Sequence, residues 1–88
     1  MPDQDLVVVF PTAHLTLKAE SLLEKAGVRH RTVMKPRRIS SDCGLAIRID
    51  PGDLQRIRKL LEESNTDPVG FFMESGGGWE PVSRQEDG

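Results

Sequence analysis

The chain has 88 residues and a formal net charge of −2, and it is long enough for one small hydrophobic core. Its one cysteine excludes an internal disulfide, a Cys-rich zinc site and a C-x-x-C redox pair. The apolar run at residues 6–10 is too short for a signal peptide or a membrane span. We therefore expect a cytoplasmic protein that does not bind the membrane.

The first half of the chain has the pattern of a buried strand followed by an amphipathic helix. Residues 6–10 are apolar at every position, which is typical of a strand that is covered on both faces. The Thr12 hydroxyl can then cap a helix, and apolar residues recur with helical spacing up to Gly27, which is placed as a C-terminal helix glycine. We predict a helix near residues 12–26, with Leu17 off the apolar face and exposed.

The second half predicts three more strands and a second helix. Residues 28–34 have the character of an edge strand, and residues 45–49 alternate with one face toward a core. An Asp-Pro pair begins a helix near residues 51–64, and residues 69–74 form the last strand. This β-α-β-β-α-β order predicts a ferredoxin-like α+β sandwich, with two helices on one face of a four-stranded antiparallel sheet of order 4-1-3-2.

We assign residues 1–75 to this single domain and residues 76–88 to a flexible glycine-rich linker and a polar tail. The first strand is apolar on both faces, so the sheet face away from the helices also carries apolar groups. Such a patch is unusual on a stable monomer. We predict that it is covered by a second copy in a homodimer, or else by the tail with Trp79. The homodimer is preferred because ordering the glycine-rich tail costs conformational entropy.

The segment at residues 36–44 contains the only cysteine, Cys43, among residues suited to activating a thiol. These neighbours are cationic, hydroxylated or glycine: Arg37, Arg38, Ser40, Ser41 and Gly44. Cations and N–H donors favour the thiolate, which is the reactive form, and glycine lets backbone approach a ligand closely. The alternatives are a cysteine that is only a small buried hydrophobe and serines that only hold the turn together.

The predicted topology brings a second segment to Cys43. The first and second strands run the same way in this fold, so the start of the first helix lies beside the loop that leaves the second strand. Thr12 and His14 would then stand near the sulfur, where the helix N-terminus favours an anion and His14 is a candidate base or ion-pair partner. Thr12 as an ordinary cap and His14 as a solvated side chain are the alternatives.

The segment at residues 29–38 is rich in arginine and lysine and contains no acid. This pattern indicates local attraction of an anion or an acidic partner, or else an edge strand protected by charge. Nucleic acid is not an expected partner, because a sheet that binds RNA stacks bases on exposed aromatic residues of its central strands. A metal site is not expected either, because its candidate ligands His14, His30 and Cys43 would have to come together from three separate segments of the chain.

Two motifs resemble those of a family of small bacterial proteins described as selenium or sulfur carrier protein-like. They are Phe10-Pro11-Thr12-x-His14 at a helix start and Pro36-Arg37-x-Ile39-Ser40-Ser41-x-Cys43-Gly44 before an apolar strand. The resemblance covers roughly residues 5–74, with Met34 departing from the family at a position where we expect proline. It implies that Cys43 is the carrier residue, and that the residues around it are Thr12, His14, Arg37, Ser40, Ser41 and Gly44.

The resemblance implies a carrier or accessory protein and not an enzyme in its own right. Cys43 would hold sulfur or selenium as a persulfide or selenopersulfide and pass it on by thiol exchange, without a separate cofactor. The donor would be a cysteine desulfurase-type enzyme and the recipient an acceptor protein. A single thiol suits this task, because a second thiol would discharge the cargo. The alternative is a non-catalytic module that binds an anion or a peptide at the same basic edge.

Overall fold

The structure is a computed structural model that describes residues 6–39 and 43–82. In this part of the chain, two helices and five strands follow one another as β1 (Leu6–Val9), α1 (Ala13–Lys25), β2 (His30–Met34), β3 (Leu45–Ile49), α2 (Leu54–Glu63), β4 (Gly70–Ser75) and β5 (Gly78–Pro81). A 3-10 turn, Pro51–Asp53, leads into α2. The α+β class and both helices are therefore confirmed.

The five strands form one antiparallel sheet in the order β2-β3-β1-β4-β5. β1 lies between β3 and β4, which agrees with its apolar sequence. β1 and β2 each pair antiparallel with β3, so they run in the same direction and the chain leaves both at one end of the sheet. The predicted four-stranded sheet is therefore correct only in part, because a fifth strand, β5, pairs with the outer side of β4 and takes the edge position.

The additional strand lies in the segment that we expected to be a flexible linker. Gly76 and Gly77 have φ values of +56° and +85°, so they can make the tight turn that joins β4 to β5. Glu74 then pairs with Trp79 across the hairpin. A glycine pair between two strands is a hairpin signal. Within a run of glycines, the same pair was interpreted as part of a flexible linker. Residues 83–88 of the predicted tail lie outside the described residues.

The ends of both helices follow from local sequence. Thr12 caps α1 as predicted, since its Oγ1 accepts a hydrogen bond of 3.2 Å from the Leu15 N–H. Gly27 follows α1 with a φ of +72°, and the Val28 N–H donates to the Leu23 carbonyl at 2.9 Å. The same closure follows α2, where Asn65 has a φ of +56°. None of the described helices has the length and apolar character needed to span a membrane.

The main core lies between the helices and one face of the sheet. Its central members come from β1 and the residue that follows it, and from β3, α1 and α2; they include Leu6, Val8, Phe10, Ala19, Leu23, Ile47, Ile49, Ile57 and Leu61. The opposite side chains of β1 and β3 point away from the helices, because successive residues of a strand alternate between faces. We call that side the open sheet face.

A second apolar cluster covers part of the open sheet face. It contains Val7, Val9, Ala46 and Ile39, with Val33, Phe72 and Trp79 packed against it. Ile39 comes from the loop after β2 and is 3% exposed. We predicted that either a second copy or the tail with Trp79 covers this face. The structure shows Trp79 on it, positioned by β5. The homodimer remains a prediction, but the bare face on which it rested is partly covered within one chain.

Candidate functional site

Cys43 lies at the end of the loop between β2 and β3, and it is 3% exposed. The Lys35 N–H donates to the Gly44 carbonyl at 2.8 Å, which joins the two ends of this loop. The Lys35 ammonium also donates to the Ile39 carbonyl at 2.6 Å and to the Pro36 carbonyl at 3.4 Å. The loop is therefore held across its base and through its first turn.

The sulfur of Cys43 contacts α1 at Thr16. The distance from Thr16 Oγ1 to Cys43 Sγ is 3.2 Å, and either atom can be the donor. The backbone N–H of Leu45, the first residue of β3, also donates to Sγ at 3.4 Å. Thr16 is fully buried, so water does not replace this contact. This contact joins the first helix to the cysteine loop, one turn further into α1 than the Thr12 and His14 positions that we predicted.

Of the two helix-start residues that we predicted beside the sulfur, Thr12 serves mainly the helix. Its hydroxyl accepts the capping bond, while its carbonyl accepts a bond of 3.1 Å from the Thr16 hydroxyl. His14 is exposed and lies two residues before Thr16. Residues at i and i+2 of a helix do not face each other. His14 therefore does not share the face of α1 through which Thr16 contacts the sulfur. The role of His14 as a base remains a prediction.

The other predicted residues lie on the loop itself. Arg37 and Arg38 are exposed, where they can meet a partner or an anion. Gly44 is also exposed, and a Cβ at this position would meet no heavy atom within 4 Å. The space around Gly44 is therefore open within the described residues, and its close approach to a ligand remains a prediction. Ser40 and Ser41 lie outside the described residues.

Thr16 and Lys35 are the residues that sequence reasoning missed. Thr16 occurs within the apolar face of α1, three residues before Ala19 and seven before Leu23, both of which are buried. A polar residue at such a position needs a buried hydrogen-bond partner, and that requirement is a signal which the sequence does contain. Lys35 carried no comparable signal, since one lysine in a basic segment does not indicate a bond to a loop carbonyl.

Metal centres and grooves are two other kinds of site that residues 6–39 and 43–82 could provide. No group of three or more His, Cys, Asp or Glu side chains there has a metal-binding arrangement. A groove of about 400 Å³ lies between α2 and β4, and Arg58, Thr66, Val69 and Val82 are among its lining residues. The Arg58 guanidinium stacks over the Phe71 ring at 5.1 Å from its centroid. Of the described residues predicted for the thiol site, none lines this groove.

The fold and the site define a small α+β protein that holds one thiol between a helix hydroxyl and a strand N–H. The family model described as "Putative Se/S carrier protein-like" matches residues 5–73, and the chain belongs to that family. This match confirms the resemblance seen in the sequence. The matched range contains Thr16, Lys35 and Cys43. Searches of curated proteins and of solved structures found no match.

Proposed function

We propose that this protein carries sulfur or selenium on Cys43 as a persulfide or selenopersulfide and delivers it by thiol exchange. The observation that supports this function is the position of the chain's only thiol. Cys43 lies within the range matched by the Se/S carrier family, and its sulfur has hydrogen-bonding contacts with Thr16 and Leu45. The donor is a protein persulfide of the cysteine desulfurase type, and the recipient is an acceptor protein in the cytoplasm.

The exchange step balances without an added oxidant or reductant. The Cys43 thiolate attacks the outer sulfur of the donor persulfide, so a bond from Sγ to that sulfur forms as the donor S–S bond breaks. The donor leaves as a thiolate and takes up the proton that Cys43 lost. Delivery repeats the same step, with an acceptor thiolate as the nucleophile and Cys43 as the leaving group. Selenium in place of the outer sulfur follows the same electron flow.

Electrostatics support this assignment of partners. The exposed guanidinium groups of Arg37 and Arg38 lie on the cysteine loop and can attract an acidic donor surface or the anionic outer sulfur. Thr12, Ser40, Ser41 and Gly44 remain proposed parts of the same binding surface. At 3% exposure, Cys43 becomes accessible to a protein-bound persulfide only when its surroundings rearrange.

Intact-protein mass spectrometry tests the carrier function. The reduced protein is incubated anaerobically with glutathione persulfide, freed of small molecules and weighed. We expect the mass of one added sulfur, which disappears on treatment with dithiothreitol. Cys43→Ser is the matched control, since it replaces one sulfur atom by oxygen, and its circular dichroism should equal that of the wild type. Absence of the added mass in the wild type, or its presence in Cys43→Ser, would refute the proposal.

The burial of Cys43 supports a second candidate, the non-catalytic module. In that function the thiol only packs, while the exposed arginines of the basic segment, including Arg31, Arg37 and Arg38, bind an acidic peptide or a small anion. Titration with a poly-glutamate peptide tests the module, and sulfur loading of the wild type separates the two functions. The module binds the peptide equally well as wild type and as Cys43→Ser, and it loses binding in Arg37→Glu. The carrier is instead defined by the loss of sulfur loading in Cys43→Ser.

A further inference from the structure

We propose that Thr16 is the positioning residue of the exchange reaction, and that its hydroxyl stabilises the sulfur of Cys43 in both protonation states. This inference rests on the proposed function, because it names the residue that holds the reacting sulfur. Its basis is the chain of contacts from Cys43 Sγ through Thr16 Oγ1 to the Thr12 carbonyl, with distances of 3.2 Å and 3.1 Å.

The direction of these hydrogen bonds follows from the number of protons. A threonine hydroxyl has one hydrogen to donate and lone pairs with which to accept. When that hydrogen goes to the Thr12 carbonyl, the contact with sulfur requires that the Cys43 S–H donates to Oγ1. A thiolate has no hydrogen, so the Thr16 hydroxyl must then rotate and donate to the sulfur. One side chain thus provides an acceptor for the thiol and a donor for the thiolate.

The rotation leaves no polar group of this chain of contacts unpaired. The Thr12 carbonyl also accepts the backbone N–H of Thr16 at 3.1 Å, and this helical bond persists when the hydroxyl turns away. The Leu45 N–H already points at the sulfur and supports the negative charge. The buried thiolate therefore receives hydrogen bonds from a hydroxyl and an amide, and hydrogen bonds to a charged group are stronger than those between neutral groups. Once Sγ bonds to the transferred sulfur and its charge moves outward, the hydroxyl can return to the carbonyl.

A structural role for Thr16 makes the opposite prediction for a pair of matched variants. Thr16→Val keeps the shape of the side chain and removes the hydroxyl, whereas Thr16→Ser keeps the hydroxyl and removes the methyl group. If Thr16 serves only to fill the core, Thr16→Val is mild and Thr16→Ser is harmful, because Thr16 is fully buried and the serine leaves a cavity. If Thr16 positions the sulfur, the ranking is reversed.

The first measurement is the infrared S–H stretch of the reduced protein. The chain has one cysteine, so the spectrum contains one S–H band, and Cys43→Ser provides the blank. We expect the band at low frequency in wild type and Thr16→Ser, where the S–H donates to a hydroxyl, and at higher frequency in Thr16→Val. A band that is unchanged in Thr16→Val, or that is shifted equally in both variants, overturns the proposal.

The second measurement is the rate at which iodoacetamide alkylates Cys43 at neutral pH. We expect Thr16→Val to react about tenfold more slowly than wild type, since a hydrogen bond to a charged group typically contributes at least this factor, and Thr16→Ser to stay within about threefold. Faster reaction of Thr16→Val would mean that the hydroxyl only fastens the thiol in place, and it overturns the proposal, as does equal slowing of both variants or of neither.

These measurements use no sulfur cargo. Failure of sulfur loading in the wild type, with the alkylation ranking intact, therefore refutes the carrier function and leaves the role of Thr16 standing. Normal loading with the ranking reversed refutes the role of Thr16 alone. Urea unfolding of each variant, followed by circular dichroism, verifies that the compared proteins are folded.

Discussion

Ile39 is expected to stabilise the whole domain although it lies in a loop. Its side chain is 3% exposed and belongs to the apolar cluster on the open sheet face. Full burial of an isoleucine contributes roughly 1.5–3 kcal/mol, and truncation of a buried isoleucine to alanine costs about 2–5 kcal/mol when the cavity is included. A loop can collapse more readily than a strand, so we expect Ile39→Ala to lower the free energy of unfolding by about 2–3 kcal/mol.

The matched control is Leu17→Ala, because it also truncates one aliphatic side chain to alanine. Leu17 is 57% exposed on α1, and leucine and alanine are both good helix formers, so this change should stay within about 0.5 kcal/mol. The assay is urea unfolding followed by circular dichroism and by the fluorescence of Trp79, the only tryptophan of the chain. Trp79 packs against the same cluster as Ile39 and reports on that face.

The size of the effect is large enough for a clear result. A domain of 88 residues has a total stability of about 4–13 kcal/mol, so the loss of 2–3 kcal/mol moves the urea midpoint well beyond the error of the method. If Ile39→Ala and Leu17→Ala unfold at the same midpoint as the wild type, Ile39 does not contribute to the covering of the open sheet face. That result would also restore the argument for a partner on this face.

The remaining predictions concern the backbone, the helix start and assembly. Gly27→Ala should lower the free energy of unfolding by about 1 kcal/mol, because the φ of Gly27 is +72°. Gly44→Ala is the control: its new Cβ meets no heavy atom within 4 Å, so this variant should unfold at the wild-type urea concentration. Equal effects of the two substitutions would contradict this reasoning. His14→Gln should leave the alkylation rate of Cys43 within about twofold of wild type, and a tenfold loss would identify His14 as the predicted base after all. If a homodimer forms through the open sheet face, sedimentation equilibrium gives the mass of two chains for wild type and of one chain for Trp79→Lys, while a monomeric wild type rules it out.

Features that depend on neighbouring residues were predictable from the sequence. The bounds of α1 follow from the Thr12 cap and from Gly27, which tolerates the left-handed conformation at the helix end. The central position of β1 follows from an apolar run that must be buried on both faces. Hydrophobic periodicity and capping act over a few residues, so one sequence contains enough information to place such elements.

The residues that contact the sulfur depend instead on how distant segments pack. Sequence alone predicted that the first helix approaches the loop of Cys43, because strand direction sets which loops lie at the same edge of the sheet. Which turn of α1 faces the sulfur is decided by the rotation of the helix on the sheet, and that rotation places Thr16 beside Cys43. The burial of Ile39 was likewise decided by tertiary structure, since it depends on apolar surface that β1 and β3 leave open on the far face of the sheet. The fifth strand had a local hairpin signal in its glycine pair, but only the folded sheet shows that Trp79 packs against this surface.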